Sequence, residues 1–281
     1  MGGFWRRYSR RWASVLGLAL LALVVAGAAA APLVFPADPW DMAGAPYLWP
    51  GQETGFPLGT DTLGRDVAAG LFHGARVSLL VGIAATAAAL GVGILVGAVA
   101  GYYGGIVDDA LMRLTEIFQT IPNFIFIIVL VVIFKPSIAT IVLSISAVSW
   151  PALARLVRAE FLSLRRREFV QSCILVGMGD ARVILTEILP NCLAPVIVTA
   201  SIMVATAILI EAGLSFLGLG DPNVISWGSM IGAGRTSLRN AWYLTAIPGL
   251  AIVVTVLALN LVGEGLNDAF NPRLRPRAAT R

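Results

Sequence analysis

Few side chains in this sequence are equipped for chemistry. It has one histidine, His73, one lysine, Lys135, and two cysteines, Cys173 and Cys192. A phosphate loop closes on Gly-Lys-Ser/Thr, but Lys135 is followed by Pro136, so nucleotide hydrolysis needs another chain. One histidine and two cysteines make no zinc or haem constellation, and no serine sits in a Gly-x-Ser-x-Gly elbow. Gly177-Met178-Gly179 lacks the third glycine and the preceding strand of a dinucleotide site. No catalytic residue, metal ligand or bound cofactor is therefore expected, and the polar groups that remain suggest mechanical work.

Residues 168–191, EFVQSCILVGMGDARVILTEILPN, form a polar island after Arg165, Arg166 and Arg167. Apolar residues recur at helical spacing, the pattern breaks at Gly177 and Gly179, and Asp180 is placed to cap a second helix that ends at Leu189-Pro190. The spacing predicts two short amphipathic helices joined by a glycine hinge; the competing reading is a solvated loop whose arginines only fix topology.

The elements that hold this island are membrane spans. The chain is 58% hydrophobic and 13% charged, whereas a soluble domain carries about 25% charged residues. Crossing a bilayer takes about 20 apolar residues, and such runs occur at 14–33, 77–100, 117–134, 138–156, 192–214 and 243–262. The prediction is an all-α polytopic protein with six transmembrane helices. Its parts are a tail (1–13), a first helix (14–34), an outer loop with a short interfacial helix (35–75), a five-helix core (76–265) and a second tail (266–281). The core includes loops at 157–190 and 215–242.

Arginines set the orientation. Arg6, Arg7, Arg10, Arg11, Arg113, Arg155, Arg158, Arg165, Arg166, Arg167, Arg182, Arg273, Arg275, Arg277 and Arg281 fall on one side, against Arg65, Arg76, Lys135, Arg235 and Arg239 on the other. The positive side is cytoplasmic, which puts both termini and the island inside. The net charge of +4 thus reflects topology, and no basic cluster interleaved with aromatics points to nucleic acid. The first apolar run is long for a cleaved signal and is read as retained. Reducing conditions inside argue against a Cys173–Cys192 disulfide.

Three further features carry expectations. In 35–75, Asp61, Arg65 and Asp66 either cap a short interfacial helix, Asp61 at its start, or shape a docking surface. Gly93, Gly97 and Gly101 give the second span a face for close helix packing, and Pro122 and Pro151 can kink the third and fourth spans. Glu211 lies near the end of the fifth span before Ser215, Phe216 and Leu217; a carboxylate there is costly unless it faces water or a partner, so it is read as facing a path or a polar partner, the competing reading being interfacial snorkelling or capping.

Several segments, in order, carry a family resemblance. They are PLGTDTLGRDV (57–67), HGARVSLLVG (73–82), AGYYGGIVDDALMRLTEIFQTIP (100–122), GLSFLGLGDPNVISWGSMI (213–231) and PGLAIVVTVLALNLVGEGLNDAFNPRLR (248–275). Together they resemble the C-type permease subunit of dipeptide and oligopeptide ATP-binding-cassette importers, with the type I importer permease fold. The island is similar to the family's cytoplasmic coupling loop: Gly177 matches its glycine and Ile188, Leu189, Pro190 and Asn191 its closing run. Gln171, Ser172 and Cys173 replace the family's Glu-Ala-Ala, which removes a charge but leaves an amide able to hydrogen-bond.

The resemblance implies a bacterial inner-membrane subunit that imports peptides beside a second permease. One or two kinds of ATPase subunit carry ATP and Mg, and an extracytoplasmic solute-binding protein delivers substrate. It implies that Glu168, Gln171, Ser172, Cys173, Gly177, Asp180, Arg182, Leu189 and Pro190 meet the ATPase, that Glu211, Ser215, Phe216 and Leu217 belong to the path or outer gate, and that Asp61, Arg65 and Asp66 lie near the docked binding protein. Related permeases carry nickel chelates, haem or other small solutes. An ion-coupled secondary transporter would need acidic or histidine residues at membrane centre and interrupted helices in repeated halves, and only Glu211, near a helix end, approaches this. An intramembrane enzyme would need a catalytic pair within the spans.

Overall fold

The computed structural model describes residue 5 and residues 7–270; Arg6, Arg273, Arg275, Arg277 and Arg281 of the orientation argument lie outside them. Among the described residues, nine main helices organise the fold: α1 (Trp12–Val34), α2 (Val67–Tyr103), α3 (Gly105–Gln119), α4 (Asn123–Phe134), α5 (Ile138–Arg165), α6 (Glu168–Leu175), α7 (Asp180–Phe216), α8 (Trp227–Gly234) and α9 (Tyr243–Phe270). Five are long and apolar enough to span a bilayer, and the bent pair α3–α4 brings the total to as many as six.

Small residues decide the central packing. A Cβ on Gly93 would come within 2.8 Å of Leu153, one on Gly97 within 2.4 Å of the Ala154 carbonyl, and one on Gly101 within 2.6 Å of Phe161. The glycine face of α2 thus admits α5 almost to backbone contact, making this the most extensive helix pairing in the molecule. The expected small-residue face is used within the chain. At its far edge α1 packs on α9 and α2, where Gly17 lies beneath Leu261.

The third span departs from expectation. Residues 117–134 are not one helix: the chain bends by 79° between α3 and α4. Pro122 has no N–H and disfavours helical geometry at Ile121, so the break falls where a kink was expected. The 12 residues of α4 reach about 18 Å, short of the roughly 30 Å hydrocarbon layer. Polar α3 turns aside, its Asp108 carboxylate receiving the Arg158 guanidinium of α5 through both oxygens. Pro151 lies buried inside α5, which continues as one helix from Ile138 to Arg165.

The fifth span also differs. Rather than ending at Leu189-Pro190, the helix begun at Asp180 widens into a π turn over Val183–Ile188 and runs on to Phe216. The wider turn eases the clash between the Pro190 ring and the preceding carbonyls, and tertiary packing of Val183, Ile188 and Cys192 keeps the helix intact.

Between α1 and α2, residues 35–66 hold no helix. Thr60 organises this segment: its buried hydroxyl donates to the Ala45 carbonyl and accepts from the Leu48 N–H at 3.0 Å. Tyr243, at the start of α9, donates from its hydroxyl toward the carbonyls of Leu48 and Thr60 at 2.9 and 2.8 Å. The single histidine is structural, its ring nitrogen lying 3.0 Å from the Phe35 carbonyl.

Candidate functional site: the two ends of the bundle

At one end, α6 and the start of α7 form a hairpin over the cluster Tyr102, Val157, Phe161, Val170 and Val183. Val170 and Val183 are fully buried, so one face of the amphipathic pattern is satisfied inside the chain. The other is not: Leu175 is 86% and Val176 89% exposed, at the tip of α6. Gly177 follows with φ +85°, and the N–H groups of Gly177 and Met178 bond the carbonyls of Ile174 and Cys173, which is a Schellman cap.

Around this tip, Gln171 donates to the Arg165 carbonyl at 2.8 Å and Ser172 to the Glu168 carbonyl at 2.9 Å. Glu168, Gln171, Ser172, Asp180, Arg182 and Pro190 are exposed, while Cys173 and Leu189 are half-buried against the core. Asp180 does not cap its helix through its side chain. Gly179 holds the cap position, and the Asp180 carboxylate accepts a 2.7 Å hydrogen bond from Tyr102 at the end of α2. Arg165 stacks over the same tyrosine ring, 5.4 Å from its centroid. Cys173 and Cys192 are free thiols.

At the opposite end, α7 finishes in a second Schellman cap: Gly218 has φ +82°, and the N–H groups of Gly218 and Leu219 bond the carbonyls of Ser215 and Leu214. Phe216 and Leu217 stand half-exposed, with Arg235 donating to the Phe216 carbonyl at 2.7 Å. One turn inside, Glu211 is buried at 3% exposure. Its carboxylate accepts from Ser215 and Ser226 at 2.7 Å each and more distantly from Ser78 at 3.5 Å. Glu211 therefore has polar partners on α2, α7 and the start of α8, in keeping with the polar-partner expectation. A cavity of about 260 Å³ lies beside it, lined by Trp40, Ser215, Phe216, Gly232 and Arg235.

Asp61, Arg65 and Asp66 also lie at this end and line a second cavity of about 110 Å³. Asp61 accepts from the N–H groups of Leu63 and Arg65 and so closes a turn, not a helix. The helix cap is Asp66, which accepts from the Ala68 N–H at 2.8 Å at the start of α2. Burial pushes the Asp66 carboxyl up from its ordinary value, while the N–H groups of Ala68 and Ala69 pull it back. Arg65 lies over the Trp40 ring, 4.6 Å from its centroid.

Sequence reasoning missed Ser78, Ser226, Tyr102 and Arg235. Ser226-Trp227-Gly228-Ser229 carried one readable signal, because a serine three residues before another forms the observed capping box.

Residues 93–276 match the family model for binding-protein-dependent transport system inner membrane components. The chain belongs to this family. Residues 1–50 match the N-terminal transmembrane domain of oligopeptide transport permease C. The permease is 39% identical to the di/tripeptide transport system permease protein DppC of Pseudomonas aeruginosa, over 98% of its own length and 93% of the relative's. It is 38% identical to the oligopeptide transport system permease protein OppC of Haemophilus influenzae, over 96% and 88%. A chain of the methionine ABC transporter MetNI, solved in inward-facing conformations, shares the fold with TM-score 0.60 at 16% identity, covering 72% of the permease and 96% of that chain. The protein is a multi-pass inner-membrane permease subunit of a peptide-type ABC importer, similar throughout to the C branch.

Proposed function

We propose that this chain forms half of a peptide translocation path and that Leu175, Val176 and Gly177 at the α6 tip receive the thrust of a separate ATPase. The observation that carries this reading is the bare apolar tip itself. Two aliphatic side chains are almost fully exposed beside a well-formed cap and a buried core, which is the signature of a surface completed by another protein. The exposed Glu168, Gln171, Ser172, Asp180, Arg182 and Pro190 rim it, with Cys173 and Leu189 behind.

The α6 end faces the cytoplasm. Arg7, Arg10, Arg11, Arg113, Arg155, Arg158, Arg165, Arg166, Arg167 and Arg182 fall there, an excess over the other end that supports this orientation. Arg11 at the start of α1 reaches Glu264 at 2.7 Å and Asp268 at 2.9 Å at the end of α9. Entry and exit at one face require an even number of crossings, which supports counting α3–α4 as one and the total as six.

A second permease supplies the rest of the path, and a solute-binding protein docks at the outer face near Asp61, Arg65 and Asp66. Phe216 and Leu217, held by Ser215 and Glu211, form part of the outer gate. Peptides are the cargo, a reading supported by the di/tripeptide and oligopeptide names of the relatives. ATP closure acts on the path only because the ATPase contacts the α6 tip differently in its two states.

The test is purification in mild detergent with native partners, identification of proteins and bound ligand by mass spectrometry, and uptake by the assembly in proteoliposomes. Recovery of ATPases, a sister permease and a peptide-loaded binding protein is expected, with ATP-dependent uptake. A metal chelate in the binding protein would change the cargo and leave the mechanism; an active chain recovered alone would overturn the reading.

A further inference from the structure

Helix α8 is seated by contacts from two neighbouring helices, α7 and α2. Ser226, its N-cap, donates to Glu211; the Trp227 N–H lies 3.3 Å from Ser78, whose hydroxyl points on to Glu211; the Trp227 indole donates to the Leu71 carbonyl at 2.9 Å. A Cβ on Gly228 would come within 2.5 Å of Ala212 Cα, so the two backbones touch. All three hydroxyls around Glu211 direct their protons at the carboxylate, and no salt bridge to Glu211 is found among the described residues. A carboxylate can accept all three at its two oxygens.

Open space flanks the helix on two sides. The two cavities lie on its flanks and share Trp40, Ser229 and Ala233, so α8 is the wall between them. It is bounded by Gly218 and Gly220 before it and ends at Gly234. Glu211, in turn, sits on α7, which runs without a break from Asp180 beside the α6 tip. Its 37 residues reach about 55 Å.

We propose that Glu211 is a latch: it grips α8 through Ser226 and Ser78, so that α7 carries motion of the ATPase-facing tip to the wall between the outer cavities. Glu211 is then a positioning residue that acts through α8, and it need not touch cargo. The inference deepens the importer reading and rests on it for the source of motion. The grip itself is a property of this chain.

The test is hydrogen exchange over residues 226–234 in the assembled transporter, with and without ATP and vanadate to trap the closed ATPases. Glu211→Ala is expected to speed exchange there at least about tenfold, with residues 168–175 unchanged, because removing the grip favours local opening of one helix. In the parent, trapping should alter exchange of α8; in Glu211→Ala it should not, and uptake should fall while ATP hydrolysis continues. Should that variant fail to assemble, Ser226→Asp keeps a capping side chain but sets two carboxylates face to face, and adding Glu211→Gln restores a donor–acceptor pair. Loss of protection in the single variant and recovery in the double supports the latch. Exchange of α8 within about twofold of the parent in the altered assemblies would overturn it, as would a parent insensitive to trapping. A parent that hydrolyses ATP but moves no peptide would instead unseat the cargo reading, leaving the exchange result to judge the grip.

Discussion

The α6 and α7 helices end in the same cap at opposite ends of the bundle. Gly177 and Gly218 both take the left-handed conformation, and each cap satisfies two terminal carbonyls. Beyond the cap the two diverge. After Gly218 the chain folds back through α8, and Arg235, Ser226 and Glu211 bind the turn region to its own neighbours. After Gly177 it re-enters the bundle at once, leaving Leu175 and Val176 uncovered. One backbone device thus serves two purposes, with surrounding side chains deciding whether a turn is closed internally or offered to a partner.

The sharpest way to break the comparison is to charge the uncovered tip. Leu175→Asp with Val176→Asp should abolish co-purification of the ATPases. Because both side chains are already solvent-exposed, the melting of the chain should shift by no more than the equivalent of about 0.5 kcal/mol. A matched loss of stability would mean that the tip is part of the fold rather than a docking surface.

Gly177→Val tests the cap without touching the apolar surface. A Cβ there meets open space, so the strain is conformational, roughly 1–2 kcal/mol for a side chain in this region. Uptake per ATP should drop about tenfold, the kinetic equivalent of some 1.4 kcal/mol, with Gly177→Asn milder because Asn tolerates the conformation. Equal uptake by the valine variant would remove Gly177 from the coupling path.

At the internally closed end, Thr60→Val should leave the Ala45 carbonyl and Leu48 N–H without their partner and destabilise residues 35–66 by about 2 kcal/mol. Limited proteolysis would register this as faster cleavage within that segment. The α6 tip should be unaffected.

These ends were unequally legible in the sequence. Five of the six apolar runs mark single long helices because a bilayer sets their length, while the run at 117–134 hides a bend, and the break at Gly177 stands out against regular spacing. Asp61 misled where Asp66 caps: Gly64, with φ +81°, interrupts any helix begun at Asp61, whereas Val67-Ala68-Ala69 follows Asp66 directly. Pro190 misled in the opposite sense, since buried Val183, Ile188 and Cys192 held a helix that local propensity would stop. Glu211 is legible as a carboxylate near the end of an apolar span in need of water or a partner, but Ser78 lies 133 residues away, and no spacing rule links hydroxyls brought together only by packing.

The two ends meet along α2, and Tyr102→Phe probes that join with the smallest change. This helix is capped by Asp66 beside one cavity and ends where Tyr102 donates to Asp180, the first residue of α7. The phenylalanine keeps the ring beneath Arg165 and removes only the hydroxyl, a loss of about 1 kcal/mol for a part-exposed bond to a carboxylate. If motion passes from the tip to the bundle through this bond, uptake per ATP should fall by about twofold to fivefold with assembly intact. If the buried contacts of Val170 and Val183 suffice, the ratio stays at the parent value and α7 alone joins the two caps.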